Sequence, residues 1–182
     1  DSLSVLRLAP DGSLEAVDHV LDTTHTRFEN VGEMNVFTVD DHVFVLVSGT
    51  EDGLSLFTVL PNGRLHHIES IAFDGENGLN SISAIEVVEV DGAFQVFIAS
   101  GTGDGLFQFT FDTSDLGNLL HGSAASETVS GTANDDVIAG RAGNDILRGN
   151  GGDDILLDDM GSDTFWGGNG ADTFVMMEDN GS

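Results

Sequence analysis

Residues 131–175 read GTANDDVIA GRAGNDILR GNGGDDILL DDMGSDTFW GGNGADTFV, five consecutive nonapeptides with no gap. The sixth place is aspartate in every unit: Asp136, Asp145, Asp154, Asp163 and Asp172. The eighth is apolar in every unit: Ile138, Leu147, Leu156, Phe165 and Phe174. The fourth is Gly143, Gly152, Gly161 and Gly170, with Asn134 in the first unit, and the first is glycine except at Asp158. Six small, polar, glycine-rich residues predict a tight turn, because glycine accepts positive φ and lets backbones approach closely. The three residues that follow, such as Asp145-Ile146-Leu147, predict a short strand with one side chain sent into a core. Two turns and two strands then use eighteen residues and close one coil. Successive coils stack at the ~4.8 Å spacing of paired strands. A flexible Gly/Asp linker would have no reason to keep the eighth place apolar.

Stacking puts Asp136, Asp154 and Asp172 along one edge, and Asp145 and Asp163 along the other. Carboxylates that close repel one another unless a cation joins them. Calcium takes six to eight oxygens at about 2.3–2.6 Å and suits a cage of carbonyls and carboxylates; magnesium demands a tighter octahedron and keeps its waters. The run from Gly131 to about Val175 resembles the RTX, or hemolysin-type, calcium-binding nonapeptide G-G-x-G-x-D-x-U-x. The resemblance implies a parallel β-roll over 131–182 with about three intercoil calcium sites. These pair Asp136 with Asp154, Asp154 with Asp172, and Asp145 with Asp163. It also implies carbonyl ligands from Gly131, Ala133, Gly140, Ala142, Gly149, Gly151, Gly167 and Asn169. The fourth unit departs from the pattern in opening Asp158-Asp159-Met160, which bears on the regularity of its turn and on the Asp145–Asp163 site. By the same resemblance the protein is bacterial, exported by a type I system, and folds in extracellular calcium.

The bulk composition agrees with a partner that is a cation. Thirty-two Asp and Glu stand against five arginines, for a net charge of -27. Such a polyanion excludes nucleic acid and anionic membrane surfaces as partners. An acid-rich surface suited to salty surroundings is the plainer reading of the excess outside the repeat. With no cysteine there is neither a disulfide framework nor a thiolate site. No cleavable leader is visible, and no apolar run approaches the ~20 residues that cross a bilayer, so membrane insertion is not expected.

A longer repeat precedes the nonapeptides. DSLSVLRLAPDGSL (1–14) echoes DGLSLFTVLPNGRL (52–65), and DGLFQFTF opens again at 104, a period of fifty-one to fifty-two residues. Pro10-Asp11-Gly12 and Pro61-Asn62-Gly63 are turn sequences, since proline fixes φ and glycine accepts its positive range. Around them the apolar runs predict nine strands, near 3–8, 14–20, 35–39, 43–47, 54–60, 65–71, 84–90, 94–99 and 106–111. Four strands per repeat of this length resemble the blades of a β-propeller, here an incomplete one. The expected organisation is thus all-β: antiparallel blade-like repeats over 1–112, a linker over 113–130 rich in Ser, Gly, Thr and Ala, and the roll over 131–182.

Nothing in the sequence composes a catalytic centre. The six histidines (His19, His25, His42, His66, His67, His121) form no H-E-x-x-H, and read as surface histidines beside turns. His66 and His67 are neighbours on one predicted strand and face opposite sides. There is no G-x-S-x-G elbow, and without lysine no P-loop. The acidic pairs Asp40-Asp41 and Glu51-Asp52 read as solvated turn charge, and Trp166 as packing within the roll. The expectation is a secreted, non-enzymatic calcium-binding protein with a structural or adhesive role at a cell surface or in a matrix, its partners being calcium, surface components or further copies of itself. The alternative is the folding and export module of a secreted propeller-type enzyme whose active site lies outside this chain.

Overall fold

The structure, a computed structural model, describes residues 2–23, 25–50, 53–72, 82–91, 93–101 and 105–176. The chain is all-β and divides into two compact units, Asp1–Asp112 and Thr113–Ser182. Among the described residues no helix is long and apolar enough to cross a membrane. Glu51, Asp52 and Asp104 lie outside the described residues.

The first unit holds three antiparallel sheets. β1 (Ser2–Leu8) and β2 (Leu14–Leu21) form a hairpin. β3 (Met34–Val39), β4 (His42–Ser48), β5 (Gly53–Val59) and β6 (Leu65–Ala72) form a four-stranded meander. β7 (Ile82–Val90), β8 (Ala93–Ser100) and β9 (Leu106–Phe111) form a three-stranded one. All nine expected strands are present, with ends within two residues of the sequence reading. The internal repeat is visible in the backbone. The Ala9 amide bonds the Ser13 carbonyl at 2.8 Å as the Leu60 amide bonds the Arg64 carbonyl at 2.8 Å, and Gly12 and Gly63 share φ 86. The pairing of β1 with β2 shifts register between Val5 and Leu6, and that of β5 with β6 shifts at the equivalent Leu56 and Phe57.

The middle sheet is covered on both faces, which explains why β4 and β5 read as nearly continuous apolar runs. Leu46 and Leu54 pack with Ile85, Val96 and Ile98 on one side. Val45, Val47 and Phe57 pack with Phe28, Leu3 and Val20 on the other. The three sheets are separate meanders of two, four and three strands, and this topology does not establish a propeller. Asp40 and Asp41 sit exposed in the β3–β4 turn, where Asp40 takes φ 50. His42 departs from the surface reading: it is 3% exposed and stacks on Phe44 at 6.1 Å. His66 and His67 are half-buried in β6, and His67 Nε2 lies 2.8 Å from Ser70 Oγ.

The second unit is a parallel solenoid. β10 (Leu116–His121), β12 (Asp135–Ala139), β14 (Ile155–Leu157) and β16 (Thr173–Val175) make one sheet, and β11 (Thr128–Ser130), β13 (Ile146–Gly151) and β15 (Thr164–Asn169) the other. Pairing runs in steps of eighteen residues: Ile138 opposite Leu156 opposite Phe174, and Leu147 opposite Phe165. The eighth-place side chains fill the interior, except Phe174, which is 45% exposed. Ile138, Leu147 and Leu156 are fully buried, with Leu120, Val129 and Phe165 packed against them.

Two expectations need correction. The stretch 113–130 is not a linker but the first coil of the solenoid: Leu120 pairs with Ile138 through β10 and β12, and Val129 with Leu147 through β11 and β13. Its Ser, Gly and Ala suit a tight turn as well as a connection, and composition alone does not separate the two. Trp166 is not roll packing. It follows the inward Phe165, so strand alternation turns it outward, 61% exposed.

Candidate metal centre

Each nonapeptide turn brings its sixth residue under the backbone of the coil before it. The Asp136 amide donates to Asp154 Oδ1 at 2.9 Å, and the Asp154 amide donates to Asp172 Oδ1 at 3.2 Å. On the other edge the Asp145 amide donates to Asp163 Oδ1 at 2.9 Å. The five sixth-place aspartates thus stand in two columns, Asp136-Asp154-Asp172 and Asp145-Asp163, each linked through amides. Asp136, Asp145 and Asp154 are at most 1% exposed, and Asp163 and Asp172 are half-buried.

The second carboxylate oxygens decide what the turns can hold. Oδ2 of Asp145, Asp154 and Asp163 is buried with no hydrogen-bond partner. A buried anionic oxygen without a donor is costly, and a bound cation is the ordinary remedy. Burial pushes the Asp154 carboxyl up to about 6, against the Asp136 amide that favours its charged form, and the charges of Asp136, Asp172 and Asp135 add to the rise. Burial also raises Asp159, with Asp163 adding to it and the Arg141 amide opposing.

First-place glycines complete a cradle around these oxygens. A Cβ on Gly149 would overlap the Asp154 carboxylate and come within 2.5 Å of the Gly167 carbonyl oxygen. One on Gly131 would overlap Asp136 Oδ2 and meet the Gly149 carbonyl at 2.8 Å. One on Gly140 would meet Asp145 Oδ2 at 2.8 Å. Carboxylate and carbonyl oxygens of adjacent coils therefore converge on space that only glycine leaves open. The carbonyls of Gly149 and Gly167 face such a space, and that of Gly140 approaches Gly122. The Gly131 carbonyl accepts the Asn150 side chain at 2.8 Å. Ala133, Gly151 and Asn169 lie close in adjacent coils, and Ala142 forms a parallel bridge with Met160. That bridge, with the Arg141 amide on Asp159 Oδ2 at 3.0 Å, stacks the divergent fourth turn on the second.

Among the described residues no three His, Asp or Glu side chains converge on one point. An ion here must draw most of its oxygens from carbonyls, which favours a hard cation of high coordination number. The donor set, all oxygen, with buried carboxylates lacking partners, fits calcium.

A second ladder was not read from the sequence. Fifth-place side chains accept amides from the following coil: Asp135 from Asp153 at 2.7 Å, Asp153 from Ala171 at 2.7 Å, Ser126 from Asn144 at 2.8 Å, and Asn144 from Ser162 at 3.0 Å. The recurring short polar residue at that place was its signal. The first coil was missed because its sixth places are Asn118 and Glu127, although Leu120 and Val129 keep the eighth place apolar.

The sequence model of the RTX calcium-binding nonapeptide repeat, four copies, matches residues 121–156 and 161–175. No curated protein matches the chain. The matched repeat is described as calcium-binding, in keeping with the oxygen cradle of the turns. Residues 121–175 therefore carry an RTX calcium-binding repeat in a parallel β-solenoid.

Proposed function

We propose that this is a secreted protein whose repeat folds when it meets extracellular calcium, and that the folded roll serves a structural or adhesive role outside the cell. The observation that carries the reading is the trio of buried, unpartnered oxygens on Asp145, Asp154 and Asp163. Without ions these charges oppose stacking, and the repeat has few apolar residues to offset them. An ion that binds only the stacked form stabilises it by mass action. About three ions sit between coils, shared by Asp136 with Asp154, Asp154 with Asp172, and Asp145 with Asp163. Millimolar calcium outside a cell then drives folding, and the low calcium inside leaves the chain open for export. The N-terminal sheets, with their repeated hairpin and repeated register shift, act as blade-like elements that present a binding surface.

The test is a calcium titration of the whole protein followed by far-ultraviolet circular dichroism, with magnesium in parallel. The reading predicts a gain of β signal with calcium and little with magnesium. Equal responses to the two ions, or none, would contradict it.

A further inference from the structure

We infer that the first coil, residues 113–130, with the turn that ends at Asp136, is an ion-independent cap on which calcium builds the remaining coils. This rests on the calcium reading above and adds a direction and a starting point to it.

The contrast lies among equivalent residues. Asp136 is as buried as Asp154, but each of its carboxylate oxygens has a protein donor. Its Oδ1 accepts the Asn118 amide at 2.6 Å, and its Oδ2 accepts both the Thr132 amide at 2.5 Å and the Thr132 hydroxyl at 3.0 Å. Asp145, Asp154 and Asp163 each leave Oδ2 with no donor. Thr132 supplies two of these donors, its amide and its hydroxyl, whereas the second places of the later nonapeptides, Arg141, Asn150, Asp159 and Gly168, carry no hydroxyl.

The first coil also carries less charge into the stack. Its sixth places are the neutral Asn118 and Glu127, and Glu127 is exposed and accepts the Ser123 amide within its own turn. What holds this coil needs no ion. The Asp135 amide bonds the Asp115 carbonyl at 2.7 Å and the Gly122 amide bonds the Ala139 carbonyl at 2.8 Å. Leu120 and Val129 pack on the Ile138, Leu147 and Leu156 core. In stacked repeats each unit is stabilised by its neighbour, so a unit stable by itself is where folding starts and from which it spreads.

Hydrogen exchange of the whole protein, read by mass spectrometry in chelator and then in calcium, tests this. In chelator, segments 116–121 and 135–139 should exchange at least about tenfold more slowly than 155–157, 164–169 and 173–175, and calcium should then protect the latter. Thr132→Val, which keeps the amide and removes the hydroxyl, should lower protection of 135–139 in chelator several-fold, and Thr132→Ser should restore it. Uniform fast exchange over 113–176 in chelator, followed by protection in calcium, overturns the cap and leaves the calcium reading standing. Protection throughout in chelator with no change on adding calcium overturns both.

Discussion

The amide of Asp136 donates to Oδ1 of Asp154, eighteen residues further along the chain, at 2.9 Å. One aspartate thereby fixes the backbone of the coil before it while its other oxygen is left buried with no partner. On the proposed reading the same side chain serves stacking through one atom and an ion through the other, and several predictions separate those roles.

Asp154→Asn keeps an acceptor for the Asp136 amide and removes the buried charge. In chelator the variant should melt higher than wild type, because an unpartnered buried anion is gone. In calcium the order should reverse, with affinity reduced by about tenfold or more for the loss of a charged ligand. Calorimetry in the two conditions checks both signs. Asp136→Asn should cost less calcium affinity than Asp154→Asn, since Thr132 already engages Asp136.

Acid should partly replace calcium. In the ion-free roll the Asp154 carboxyl sits at about 6, above its ordinary 3.8. The folded form therefore binds more protons than the unfolded form between those values. This group therefore favours the folded, ion-free roll fully below about pH 4, and that contribution is lost as pH rises through 6. Circular dichroism in chelator should show β signal rising from pH 7.5 to 4.5, while calcium affinity measured by titration falls over the same range.

Gly149→Ala should abolish the site it borders. The added methyl overlaps the Asp154 carboxylate and stands 2.5 Å from the Gly167 carbonyl oxygen, so the coils must separate. Calcium-induced β signal should be largely lost. Gly12→Ala is the control: nothing lies within 4 Å of its Cβ, and its φ of 86 costs only about 1 kcal/mol in a different unit. Its calcium response should match wild type.

Much of this architecture was legible in the residues. Pro10 to Gly12 and Pro61 to Gly63 announced their turns because φ restrictions act locally. The eighth-place Ile138, Leu147 and Leu156 announced the roll because a core admits only apolar side chains there. Asn118 and Glu127 hid the first coil because neither sixth place is the aspartate that marks the other turns. Trp166 and Leu157 occupy the same ninth place, yet one is 61% exposed and the other fully buried. They stand on different sheets of the roll, a distinction that a nine-residue pattern does not carry. His42 was misread because burial beside Phe44 depends on sheet packing, not on its neighbours in sequence.

Counting the metal held by the folded protein tests the central claim most directly. Native mass spectrometry of the whole chain in calcium should find about three tightly held ions, one for each proposed aspartate pair between coils, and fewer in Asp154→Asn, whose buried carboxylate belongs to two of the pairs. A chain that is fully β-structured in the same solution and retains no calcium would contradict the account.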